Sequence, residues 1–199
     1  MNIILASNSP RRKELLSMCG LNFECESADI DENSIINYIS SDSSNLSKYD
    51  LSEKLVSSLS YEKAIAAHKR NKNNITVGSD TIVSSENEIF IKPKDKDEAY
   101  IMLKNLTGKT HRVYTGVSII TDNDIDTFSC YTEVTFYDFD NLTNKIILDY
   151  IDTNSPLDKA GGYGIQDMGA LLIKEIKGDY YTVMGLPISL LYRKLQKIL

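Results

Sequence analysis

The stretch IILASNSPRRKELL, Ile3 to Leu16, starts apolar, turns polar at Ser7–Ser9, and continues behind a proline as an amphipathic pattern. Residues 2–7 read as a buried strand. Residues 9–19 read as a helix, with Ser9 at the N-cap, Pro10 at the first helical position and Gly20 at the end. A helix start carries free N–H groups and the positive end of the dipole, so it attracts anions. Serine hydroxyls can donate, and guanidinium groups meet phosphate oxygens with paired hydrogen bonds. Strand, polar turn and the adjacent Arg11 and Arg12 therefore make a credible phosphate seat. It is not the P-loop, whose glycines and lysine are missing. Read locally, the two arginines fit a solvated, exposed turn equally well.

Working outward, FECE (23–26) looks like a second strand, and the polar, Ser-rich SDSSNLSK within residues 40–50 like a mobile loop. LSEKLVSSLSYEKAIAAHKR (51–70) restores helical spacing through Leu51, Leu55, Leu59 and Ala66. ITVGSDTIVSS (75–85) is a strand pattern, followed by a turn at 85–87 and a short strand, EIFIKPK, stopped by Pro93. KDEAYIMLKNLTG (96–108) is a helix closed by Gly108. HRVYTGVSIIT and DTFSCYTEVTFYDF, joined by DND, form a hairpin of two long alternating strands. A helix over 143–153, the Gly-rich loop KAGGYGIQ (159–166), a strand GALLIKEIKG (169–178) and a last amphipathic helix from Pro187 complete the chain. Helices interleaved with strands, plus one long hairpin, predict an α/β fold with a mixed sheet. No linker divides residues 1–199, so a single domain is expected, compatible with two lobes around a cleft.

The bulk numbers exclude several classes. With 42% hydrophobic and 25% charged residues the chain is close to the globular average, so disorder is not expected. A net charge of -6 argues against stable nucleic-acid binding, which relies on many Lys and Arg contacts. No apolar run approaches the ~20 residues of a membrane span, and no secretory leader is visible. Cys19, Cys25 and Cys130 are odd in number and lack C-x-x-C spacing, which fits a reducing compartment. A cytoplasmic protein is expected.

Asp80 is the second chemical signal, because aspartate is depleted inside strands and must face a polar cleft or a cation. It can bind a divalent metal, act as general base on water, or simply accept hydrogen bonds from a loop. DIDEN places Asp29, Asp31 and Glu32 just after a strand. One or two such acids suffice for Mg²⁺ when substrate phosphates and waters complete its shell. Lys63 in YEKAIA and Lys92 in IKPK are candidates to reach phosphate oxygens, and KAGGYGIQ lets a backbone approach a ligand closely. No serine or cysteine constellation matches His111, which reads as structural. Phosphate donors, acids for a metal and close-approach glycines together suggest phosphoanhydride hydrolysis.

ASNSPRRKELL, GSDTIV, IKPK, LTGKTHRVYTGVSI and LDKAGGYGIQDMGALLIKEIKGDYYTVMGLPIS occur in this order, and together they resemble the Maf family of nucleoside triphosphate pyrophosphatases, first associated with septum formation. The likeness runs from Ile3 to Leu191. It implies an elongated mixed α/β fold with two lobes and a central cleft, like inosine triphosphate pyrophosphatase, and a homodimer. It also implies cleavage of a nucleoside triphosphate to monophosphate and pyrophosphate with a divalent cation, Mg²⁺ or Mn²⁺, and a role in nucleotide-pool house-cleaning or division arrest. By resemblance, Ser7, Arg11 and Arg12 fall in the phosphate-binding motif. Glu32, Lys63 and Lys92 match further catalytic positions, Asp80 the proton acceptor, and Glu32 with Asp80 the metal ligands. Arg11, Thr81 and Gln166 agree with the branch that prefers dTTP and UTP, and a Gln amide can both donate to and accept from a pyrimidine edge. The Ser-rich stretch over about 33–55 departs from the family pattern and is expected to be a loop or a lid. Two other readings stay open: a nucleotide-binding regulator without turnover, and a pyrophosphatase preferring purine or modified nucleotides.

Overall fold

The computed structural model describes residues 2–43 and 45–199. In chain order they form β1 (Ile3–Ala6), α1 (Pro10–Ser17), β2 (Phe23–Cys25), α2 (Glu32–Asp42), α3 (Lys48–His68), β3 (Ile75–Ser84), β4 (Ile89–Phe90) and α4 (Lys96–Leu106). There follow β5 (Thr110–Ile120), β6 (Ile125–Phe136), α5 (Asn141–Asp152), β7 (Ile173–Lys177), α6 (Tyr180–Met184) and α7 (Ile188–Leu195). Short 3-10 turns fill the interval between α5 and β7. The strands build one sheet in the order β2-β1-β3-β5-β6-β7, with β4 added to β3. β1 runs parallel to β2 and β3, and the remaining pairs are antiparallel, so the sheet is mixed, as expected.

Alternation along β3 decides what each face can do. Val77, Ser79, Thr81 and Val83 point to one side, Gly78, Asp80 and Ile82 to the other. On the first side the core falls into two clusters. Ile3, Leu5, Val77 and Val117 pack with Leu15 of α1 and Leu191 of α7. Val83, Val113 and Val134 pack with Leu103 of α4 and Ile147 of α5. Polar Ser79, Thr81 and Thr115 lie between them on the same face, so a polar band separates the two clusters. The opposite side is covered by α2 and α3, through Ile39, Leu55 and Leu59 against Ile82 and Tyr114.

α3 comes unusually close to the sheet. A Cβ on Gly78 would stand 2.3 Å from the carbonyl oxygen of Ser60, and one on Gly116 2.3 Å from that of Val56. Those glycines let the helix backbone rest on β3 and β5, and Ser60 Oγ lies 3.0 Å from Ser118 Oγ.

Three expectations need correction. Residues 33–55 are not one long loop: α2 occupies 32–42 and α3 starts at Lys48. Asp31 caps α2 by accepting from Ser34 N at 3.1 Å, and Ile35, Ile36 and Ile39 lay an apolar stripe against Leu51 and Leu55. Serine favours turns only weakly, and this packing overrides the preference. Ser44 lies outside the described residues. The strand expected over 169–178 is shorter, because residues 168–172 form a 3-10 turn capped by Asp167. α6 was not expected; Asp179 caps its five residues, too few to show a period. Among the described residues no helix is long and apolar enough to cross a membrane.

His111 is fully buried, 2.7 Å from the Tyr163 hydroxyl through Nε2 and edge-on to Phe136, so it is structural, as read. Burial lowers its pKa to about 3. The unfolded chain takes up that proton near pH 6.5, so the neutral imidazole's contribution is complete above pH 6.5 and is lost as pH falls toward 3. Between pH 8 and pH 5 the wild-type protein is expected to lose about 2 kcal/mol more stability than His111→Phe. Urea unfolding at the two pH values measures the difference.

Candidate active site

β1 pairs with β3 only as far as Ala6–Gly78, and β4 joins the same edge of β3 at Val83. Between them Ser79–Ile82 has an open edge, just beyond the carboxyl end of β1. The chain leaves β1 through α1 toward β2 and returns by α2 and α3 to β3 on the other side. Open α/β sheets hold ligands at such switch points. A cleft of about 640 Å³ opens there, and the nine residues that the family resemblance assigns to the site line it: Ser7, Arg11, Arg12, Glu32, Lys63, Asp80, Thr81, Lys92 and Gln166.

The centre lies on the α3 side of β3. Lys63 continues the buried stripe of α3 one turn after Leu59, where an aliphatic residue would be ordinary. Its ammonium hydrogen-bonds to Asp80 and lies 2.9 Å from Glu32 Oε1. Lys63 and Asp80 are each only 8% exposed, so both charges depend on this pairing. Glu32 is the first residue of α2, fixed by the Asp31 cap. Burial resists its charge, but Lys63, with Lys92 and Arg12 behind it, outweighs that and holds the carboxyl below its usual range. Asp29 does not line the cleft, and Asp31 serves as the cap.

Arg12 approaches from the other face. Its Nε donates to the Gly185 carbonyl at 2.9 Å, Nη2 to Thr81 Oγ1 at 3.0 Å and Nη1 to Ser7 Oγ at 3.5 Å. Burial pulls its pKa down and Asp80 opposes the shift, yet a guanidinium stays charged at neutral pH. Ser9 sits at the N-cap of α1, but its side chain makes no capping bond, which leaves first-turn N–H groups facing the cleft without a side-chain cap. Lys92 and Gln166 are exposed on the rim.

Sequence reasoning missed Asp158 and Lys159, which also line the cleft, and the Gly185 carbonyl. In LDKAGG Asp158 stands directly before the Gly-rich loop and Lys159 opens it, a charged pair that signalled nothing without its partner Arg11. With Lys94 the cleft gathers six cationic side chains against three carboxylates, although the chain is acidic overall. No cluster of three or more His, Cys, Asp or Glu suited to a metal occurs among the described residues. The pair Glu32 and Asp80 still fits Mg²⁺, which takes one or two carboxylates and completes its shell with phosphates and waters.

Fold and cleft thus define an α/β protein with a cation-rich cleft around a lysine-bridged carboxylate pair. The chain belongs to the Maf-like protein family, whose profile matches residues 2–198. It is 45% identical over 195 residues to a dTTP/UTP pyrophosphatase of Bacillus anthracis (strain CDC 684 / NRRL 3495), covering 98% of this chain and 94% of that protein. It is 44% identical, with the same coverage, to a dTTP/UTP pyrophosphatase of Bacillus cereus (strain G9842).

Proposed function

We propose that the protein hydrolyses nucleoside triphosphates, dTTP and UTP above others, to the monophosphate and pyrophosphate. The observation that carries this reading is Asp80, a nearly buried carboxylate on the open edge of β3, held by Lys63 in a cleft otherwise rich in cations. The names of the relatives supply the base preference. In this reading Asp80 orients a water and takes its proton as the oxygen attacks the α-phosphorus. Lys63 keeps Asp80 in place. Arg12, Lys63 and Lys92 stabilise charge on the departing pyrophosphate, with Ser7 and the α1 amides as further donors. Glu32 and Asp80 are the residues to hold Mg²⁺ or Mn²⁺, and an ion bound there supplies charge neutralisation on phosphate oxygens. Gln166 offers both a donor and an acceptor to a pyrimidine edge. A cytoplasmic homodimer belongs to the same proposal and is supported by family membership alone.

The test is pyrophosphate release from a panel of triphosphates. dTTP and UTP are expected to exceed ATP and GTP in kcat/KM by at least about tenfold, and excess EDTA to abolish release. Equal turnover of the purines would refute the base preference, and absence of pyrophosphate with every triphosphate would refute the activity.

A further inference from the structure

Arg11 and Arg12 are neighbours in sequence, but their charges are compensated differently. Arg12 donates only to neutral oxygens, on Gly185, Thr81 and Ser7, so its charge stays available to an anion in the cleft. Arg11 is already paired. Its Nη1 lies 2.8 Å from Asp158 Oδ2, and Nη2 3.5 Å from the Asp158 carbonyl. The other Asp158 oxygen accepts from Lys159 Nζ at 2.7 Å. Lys159 is 8% exposed, donates to the Ser155 carbonyl at 2.6 Å and lies 3.4 Å from Asp167 Oδ2. Asp167 follows Gln166 directly and caps the turn behind it through Gly169 N at 3.0 Å. The carboxylate that holds Arg11 is thus part of the clamp that fixes the backbone around Gln166.

A guanidinium paired to a carboxylate is a poor phosphate ligand. Taking up phosphate on its remaining N–H groups would set a second anion beside Asp158. Its remaining N–H groups still suit neutral carbonyl oxygens, and uracil and thymine each present two. We infer that Asp158 is a positioning residue for base recognition: it withholds Arg11 from the triphosphate and sets it, with Gln166, against the pyrimidine carbonyls. Arg12 is left as the phosphate arginine. This deepens the proposed function and rests on it for the identity of the ligand.

The experiment is calorimetric binding of inorganic tripolyphosphate and of the α,β-methylene analogues of UTP and CTP, which requires no turnover. Arg12→Ala is expected to weaken tripolyphosphate by about tenfold or more, and Arg11→Ala by less than about threefold. Arg11→Ala is expected to cut the preference for the UTP over the CTP analogue by about tenfold. Asp158→Asn frees the charge of Arg11, so tripolyphosphate tightens by about fivefold and the base preference falls. Adding Arg11→Ala to Asp158→Asn removes that gain. Arg11→Ala leaves Asp158 paired with Lys159, so it tests the claim even where Asp158→Asn unfolds. Arg11→Ala weakening tripolyphosphate as much as Arg12→Ala would overturn the inference, as would a base preference unchanged in Asp158→Asn. If these affinities behave as stated while no triphosphate is hydrolysed, the activity fails and the assignment of Asp158 stands.

Discussion

Asp80→Asn is expected to lower kcat for dTTP and UTP by about 10²–10⁴-fold, the range a positioned general base supplies. Asparagine keeps the shape of the side chain and one oxygen acceptor but cannot take a proton from water. Of the groups assigned to the phosphates only Lys63 touches Asp80, and it keeps its ion pair with Glu32, while Arg12 and the α1 amides lie on the other face and Lys92 on the rim, so KM is expected to change by less than about threefold. The fold should survive, because Lys63 keeps Glu32 at 2.9 Å and is not left as an unpaired buried cation. Steady-state kinetics with a thermal melt on the same preparation checks both halves. A variant that melts like wild type and retains kcat would remove Asp80 from the chemistry.

The second large effect is mechanical. In Gly78→Ala the new methyl would stand 2.3 Å from Ser60 O and 2.7 Å from Ala64 N. Both are backbone atoms of α3, so no rotamer change relieves the clash, and the helix must lift from β3. Overpacking of this kind costs about 1–3 kcal/mol and occasionally more. Lys63 lies between those two contact points, so lifting α3 also draws its ammonium away from Asp80. A misplacement near 1 Å is enough to lose about 10²-fold in rate. Urea unfolding and kcat measured together are expected to fall together. A stable variant with full activity would show that the distance between α3 and β3 does not set the geometry of the centre.

These two positions also show what was legible in the sequence. Asp80 and Gly78 stand out because neither belongs in the middle of an apolar strand, and Pro10 marks the strand-to-helix turn, while the two arginines read locally fit a phosphate seat and an exposed turn equally well. The hairpin of β5 and β6 is equally plain, since its alternation runs over 11 and 12 residues. α2 was hidden for the opposite reason. Its serines speak for a loop, and its isoleucines become a helical stripe only against Leu51 and Leu55, which a local pattern does not reveal. Lys63 was visible only as one lysine on a helix; its meaning depends on Asp80, 17 residues away, and on Glu32. Asp158 was missed because its partner Arg11 is 147 residues distant. The Gly185 carbonyl could not have been read at all, since every residue carries that group and only the fold aims it at Arg12 and Ser79.

The central claim is attack of water on the α-phosphorus in the cleft around Asp80, and a turnover of dTTP or UTP in ¹⁸O-labelled water, read by mass spectrometry of the products, tests it most directly. The account predicts one ¹⁸O in the nucleoside monophosphate and none in the pyrophosphate. Label in the pyrophosphate, or products that are a nucleoside diphosphate and orthophosphate, would contradict it.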